Sequence, residues 1–103
     1  MIIRVELGKW HQGEGPLSER LNLEPGPFFM EVTNARQIIE QLRTMSPKAP
    51  EAFEIWFNRS GFLRGTWAII VNRDSRNRRA IKSEAEMDQP LTEGDCIYIT
   101  SCG

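Results

Sequence analysis

The chain has 103 residues, of which 40% are hydrophobic and 26% are charged, proportions typical of one ordinary globular domain that folds without a metal or a disulfide. Thirteen basic and fourteen acidic residues leave a net charge of −1, which excludes a strong overall attraction to nucleic acid or to an anionic membrane. We therefore expect a specific protein partner and no cofactor.

The longest apolar run, Trp67–Val71, is far too short to span a bilayer. Arg4 and Glu6 place charges where a signal peptide needs apolar residues. We therefore expect a cytoplasmic protein that does not interact with membranes.

The first element is predicted from residues 3–7, in which Ile3, Val5 and Leu7 alternate with two charged residues. This period of two is typical of a strand with one buried face. Glycines and prolines are frequent across residues 8–27, which predicts an extended loop with only a short turn around residues 17–23. Residues 28–32 resume an extended pattern and are expected to pair antiparallel with the first strand.

Helix signals follow the second strand. Thr33 or Asn34 can cap a helix, and Gln37 stands three residues after Asn34. The helix is expected to end near residues 46–47, because Pro47 disfavours helical backbone before it. The apolar stripe of this helix consists of Ile38, Ile39, Leu42 and Met45.

A second, short helix is predicted after Pro50. Phe53, Trp56 and Phe57 would form an aromatic stripe on it, and such a stripe packs into a core more often than it binds a cofactor. We interpret these aromatic residues as core.

The second half of the chain contains three further strand signals. Trp67–Val71 is expected to be buried on both faces because it is continuously apolar. Residues 72–77 are turn-forming, and residues 80–81 predict a short return strand. After a turn at residues 92–95, the last strand is expected to bury Ile97 and Ile99 and to place Tyr98 on the other side.

This order of elements predicts an α+β fold, a mixed sheet with one main helix packed across one face. We expect residues 1–103 to form a single domain with an extended loop at about residues 8–27.

The segment 70–72, the turn at residues 90–95 and a helix directly after the second strand resemble the ThiS/MoaD-like β-grasp, or ubiquitin-like, sulfur carriers. The resemblance covers most of the chain in outline and is sharpest from residue 67 to residue 103. It implies a β-grasp fold.

The resemblance also implies a function. An E1-like adenylating enzyme would activate the carboxylate of Gly103, which would become a thiocarboxylate and deliver sulfur to a synthase in cofactor biosynthesis of the molybdopterin or thiamine type. Glycine suits this position because it has no Cβ to obstruct a narrow channel. The catalytic groups would belong to the partner, so the chain itself would not be an enzyme. The residues implied in partner binding are Tyr98, Thr100, Ser101, Cys102 and Gly103, with residues 100–102 as the tail.

An alternative is a β-grasp binding module, serving as a small subunit or adaptor of a larger enzyme without sulfur-transfer chemistry. Cys102 favours it, because these carriers typically have a second glycine there. The long loop at residues 8–27 also favours it, because such loops often carry contacts. An independent enzyme finds little support, since no convergent acid, base and nucleophile is evident in the sequence.

The two cysteines and the single histidine predict no metal site. Cys96 and Cys102 lie roughly 20 Å apart on one extended segment, too far for a disulfide, and His11 is distant from both.

Five basic residues could steer an acidic partner, although edge-protecting charges on a solvated turn are the commoner explanation. They are Arg73, Arg76, Arg78, Arg79 and Lys82.

Overall fold

The computed structural model describes residues 1–9, 15–20, 23–45 and 67–101. The predicted aromatic stripe at residues 53–57, the residue Cys102 and the residue Gly103 lie outside these ranges. Within the described ranges, no helix is long and apolar enough to cross a membrane.

The described elements form a small α+β fold around one mixed sheet of five strands, as the sequence predicts. The strand order is β2-β1-β5-β3-β4; β1 and β5 are parallel, and the other neighbours are antiparallel. The strands are β1 (Ile2–Leu7), β2 (Phe28–Glu31), β3 (Trp67–Val71), β4 (Arg79–Ala80) and β5 (Cys96–Ser101).

The first two strands form the antiparallel pair that the sequence predicts. Ile3 lies opposite Met30 and Val5 lies opposite Phe28, so one face of the pair carries apolar side chains. A short helix, α1 (Leu17–Arg20), lies in the connection between them. Its Leu17 is fully buried and donates its N–H to the carbonyl of Gly8 at 2.9 Å, which attaches this part of the connection to the sheet.

The main helix, α2 (Ala35–Met45), begins with a reciprocal cap. Asn34 accepts the N–H of Gln37 at 2.9 Å, and the side chain of Gln37 accepts the N–H of Thr33 at 2.8 Å. The predicted stripe is buried through Ile38, Ile39 and Leu42, but Met45 is 44% exposed. Met45 occupies the last turn of α2 and lines an open groove beside Leu23 and Phe28 instead of entering the core.

The core lies between α2 and one face of the sheet. Alternate residues of the three central strands point into it, which is the arrangement expected for strands with one face against a helix. Its members are Ile3, Val5, Leu17, Met30, Val32, Ala35, Ile38, Ile39, Leu42, Ile69, Val71, Ile81, Met87, Leu91, Ile97 and Ile99.

Two details of the second half differ from the sequence expectations. In β3 only Ile69 and Val71 are buried, whereas Ala68 and Ile70 are half-buried on the face away from α2, so the prediction of burial on both faces was wrong. The short return strand comprises Arg79–Ala80, one residue earlier than predicted, and Ile81 follows it into the core.

A third helix, α3 (Glu84–Met87), was not predicted, although its cap is visible in the sequence. Ser83 accepts the N–H of Glu86 at 3.3 Å and donates its hydroxyl to the Glu86 carboxylate at the same distance. Met87 is buried. Asp88 then pairs with Arg36 of α2 at 2.6 Å, and this hydrogen bond raises the pKa of Arg36 above its ordinary value.

We predict that Ile38→Ala destabilises the protein by about 2–5 kcal/mol, because it leaves a cavity at a fully buried position between α2 and the sheet. The exposed Glu40 on the same helix provides the control, and Glu40→Ala should change the free energy of unfolding by less than about 0.5 kcal/mol. Urea unfolding of both variants measures the difference. Equal losses in the two variants would contradict the packing described above.

Candidate functional site

The candidate site lies on the face of the sheet opposite α2, here called the outer face. Strand register places Glu6 of β1 and Ile70 of β3 on either side of Tyr98 of β5. One step along, Arg4 lies beside Cys96. The outer face therefore carries charged, aromatic and thiol groups, whereas the buried side chains of β1, β3 and β5 on the inner face are apolar.

A cavity of about 230 Å³ opens on this face, where β1 and β5 meet the turn that follows β3. The residues that line it are Arg4, Glu6, Asn72, Arg73, Asp74, Ser75, Cys96, Ile97 and Tyr98.

Two guanidinium groups share one carboxylate at the edge of this cavity. Arg4 contacts Glu6 at 2.9 Å, and Arg73 approaches the other oxygen of the same carboxylate at 3.8 Å. Arg73 also lies 3.7 Å from the exposed Asp74, and its Cζ is 3.9 Å from the centroid of the Tyr98 ring. Each of these interactions contributes at most about 1 kcal/mol, because all the groups remain partly exposed to water. The guanidinium groups are held in place but are still accessible to a ligand.

Asn72 joins the two turns that border the cavity. Its side chain donates to the Asp95 carboxylate at 2.9 Å and accepts the N–H of Cys96 at 2.9 Å. Its own N–H donates to the carbonyl of Cys96 at 2.8 Å, and Asp95 accepts the N–H of Thr92 at 2.8 Å. Asn72 has φ of 54°, a left-handed conformation that asparagine tolerates better than most residues. The cavity therefore has a wall fixed by the hydrogen bonds of Asn72 and Asp95.

Tyr98 is held from the other side by the segment that follows β1. A Cβ atom at Gly8 would overlap the Tyr98 hydroxyl and lie 2.9 Å from the Thr100 Cβ, so any other residue there would displace Tyr98 and Thr100. The N–H of Gly8 donates to the carbonyl of Ile99 at 2.7 Å, and the Thr100 hydroxyl donates to the carbonyl of Lys9 at 3.0 Å. Tyr98 is thus fixed between Gly8 and Arg73.

The structure gives positions to three of the five residues predicted for partner binding. Tyr98 and Thr100 lie on the outer face, and Ser101 pairs with Trp67 through the backbone. Thr100 and Ser101 therefore belong to β5 and not to the tail expected at residues 100–102. Cys102 and Gly103 lie outside the described residues.

Sequence reasoning did not identify Arg4, Glu6 or Asn72 as site residues. The alternation in β1 places Arg4 and Glu6 on the outer face, but nothing local to β1 indicates that β5 lies beside it. Arg73 was noted only as one of several basic residues. For Asn72, the turn-forming sequence was the available signal, while its bonds to residues 95 and 96 depend on tertiary structure.

The described groups are suited to binding. Cys96 is a free, half-buried thiol, and no group of three or more His, Cys, Asp or Glu side chains within the described ranges could hold a metal ion. Arginines, a carboxylate and a tyrosine can recognise charged and hydrogen-bonding groups of another molecule.

Comparisons of the chain with protein-family models, with curated proteins and with solved structures each found no match.

We predict that Asn72→Ala destabilises the protein by about 1–3 kcal/mol, because it removes two hydrogen bonds and leaves alanine with positive φ. Asn72→Gly should cost less, because glycine relieves the backbone strain but not the lost hydrogen bonds. Thermal unfolding monitored by circular dichroism measures both.

The control is Asn77→Ala in the same turn. Because this side chain is exposed, the substitution should change the free energy of unfolding by less than about 0.5 kcal/mol. A stability of Asn72→Ala equal to that of this control would contradict the role assigned to Asn72.

Proposed function

We propose that the protein has a β-grasp fold and acts as a sulfur-carrier-like protein that presents Gly103 to an E1-like adenylating enzyme. The sheet order β2-β1-β5-β3-β4, the parallel pairing of the first and last strands, and one main helix across the inner face support this assignment. So does the resemblance of residues 67–103 to the ThiS/MoaD-like carriers.

The observation that carries the proposal is the position of β5. This strand lies inside the sheet, between β1 and β3, and its pairing with β3 continues to Ser101. Two further residues reach at most about 7 Å beyond Ser101. A partner that acts on Gly103 must therefore approach the end of β5 closely, and the nearby outer-face residues Tyr98 and Thr100 are the side chains it would meet.

The chemistry would use the partner's catalytic groups. A carboxylate oxygen of Gly103 attacks the α-phosphorus of ATP and pyrophosphate leaves; hydrosulfide from the sulfur donor then attacks the acyl carbon and displaces AMP, and loss of the sulfur-bound proton leaves the thiocarboxylate. This chain contributes the carboxylate and its presentation. A synthase of the molybdopterin or thiamine type would accept the sulfur.

The test is mass spectrometry of the intact protein after incubation with ATP, a sulfur donor and the adenylating enzyme of the same organism. We expect a mass gain of one sulfur-for-oxygen exchange, located by fragmentation at Gly103. A variant lacking Gly103 is the matched control and should remain unchanged. Absence of the exchange in the intact chain, while a known carrier is converted under the same conditions, would exclude the proposal.

A second candidate function is a binding module or adaptor that does not transfer sulfur. The outer-face cavity favours it, because Arg4, Arg73 and Tyr98 form a fixed contact surface that begins about 10 Å along β5 from Ser101, at Tyr98, and extends to about 16 Å, at Cys96. Such a surface would bind a larger enzyme subunit whether or not the carboxylate of Gly103 is converted to a thiocarboxylate.

Photo-cross-linking in cells distinguishes the two functions. A photoreactive phenylalanine analogue in place of Tyr98 should cross-link to one subunit of a larger enzyme, and the same analogue at the exposed Glu40 of α2 should not. A binding module keeps the Tyr98 cross-link when Gly103 is deleted. Loss of that cross-link on deletion of Gly103 would contradict the binding-module candidate.

A further inference from the structure

Positive charge is concentrated in one segment of this nearly neutral chain. Residues 73–82, here called the basic segment, contain five basic residues and one acidic residue, a net charge of +4. Because the whole chain carries −1, the remaining residues together carry −5. The segment comprises the turn after β3 and the edge strand β4, so its charge lies along one edge of the sheet.

The backbone of the basic segment is ordered while its charged side chains face water. Ser75 donates its N–H to the carbonyl of Asn72 at 3.0 Å, and Arg78 donates its N–H to the carbonyl of Ser75 at 3.2 Å. Arg76, Arg78, Arg79 and Lys82 are exposed, and within the described ranges none of them forms an ion pair. A partner would therefore meet cations on an already fixed backbone.

The outer-face cavity is continuous with this segment, because residues 73–75 belong to both. Arg73 and Arg4 have side chains 39% and 47% exposed, and both contact the single carboxylate of Glu6. The cavity therefore adds the guanidinium group of Arg4 and an aromatic wall to the cations of the basic segment, which already include Arg73.

We propose that the basic segment and the adjoining cavity together form a docking surface for an acidic segment of a partner protein. Carboxylates of the partner would pair with Arg76, Arg78 and Lys82, and one side chain would enter the cavity against Tyr98 and Arg73. This surface lies away from Ser101, so the inference stands whether or not Gly103 is modified.

A protein partner fits this surface better than a nucleic acid does. The cations of the basic segment span only ten residues, and the remaining charge of −5 opposes binding of a long polyanion that extends beyond them. Arg73 already covers one face of the Tyr98 ring and leaves that face closed to base stacking. A short acidic peptide needs only the basic segment and the cavity.

The experiment is a titration of the isotope-labelled full chain, followed by NMR chemical shifts of the backbone amides. Three probes are compared: a peptide of glutamate and glycine, a peptide of equal length with glutamine in place of glutamate, and a single-stranded RNA of equal length. We expect the glutamate peptide to shift amides of residues 73–82 and Tyr98, and the glutamine peptide to shift none. Raising the salt from about 50 mM to about 500 mM should weaken the binding strongly.

Matched double variants test the location. Arg76→Gln with Arg78→Gln should weaken binding of the glutamate peptide about fivefold or more, and Arg76→Gln with Lys82→Gln should do likewise. The control, Lys9→Gln with Arg43→Gln, removes the same charge outside the basic segment and should change affinity by less than about twofold. Arg73→Gln should abolish the shift at Tyr98.

Three results would overturn the proposal. The first is the absence of saturable binding of the glutamate peptide, and the second is an equal loss in the control and in the basic-segment variants. The third is tighter binding of the RNA than of the glutamate peptide, which would identify the surface as one for nucleic acid.

Discussion

The pairing of β5 with both β1 and β3 is the interaction on which the rest of this structure depends. It buries Ile97 and Ile99 beneath α2 and brings the first strand of the chain beside the last. The same parallel register sets Arg4 and Glu6 next to Cys96 and Tyr98 on the outer face. Without that register Ile97 and Ile99 would not lie at the centre of the core, and the residues of β1 and β5 that line the cavity would not lie side by side. The same backbone hydrogen bonds therefore position the core residues on the inner face of the sheet and the candidate-site residues on its outer face.

Along β5 the outer face has two regions with different uses. At the Cys96 end, Asn72 ties the neighbouring turns together, and two arginines with Tyr98 form a fixed, charged cavity. At the Ser101 end, the strand leads to residues 102–103, where carrier chemistry would take place. Tyr98 lies between these regions, held by Gly8 on one side and by Arg73 on the other. A carrier and a binding module would therefore use the same strand, one from its end and the other from its face.

Local patterns in the sequence predict most of the fold and little of the cavity. The alternation of Ile3 and Val5 with charged residues, and the Asn34 cap of α2, identify elements because their causes lie within a few residues. Trp67–Val71 was misjudged because Ala68 and Ile70 are apolar yet lie on the outer face. The cavity could not be predicted, because its residues come from β1, β5 and the turn after β3. The sequence does not indicate locally that these three segments meet.

The central claim is that β5 is held by β1 and β3 from Cys96 to Ile99 and by β3 as far as Ser101, so that the outer face and the following residues are presented from a rigid strand. Backbone ¹⁵N relaxation tests this most directly. The account predicts order parameters of about 0.85 for the amides of residues 96–101, equal to those of β1 and β3. Values below about 0.6 at residues 99–101, with β1 and β3 remaining rigid, would contradict it.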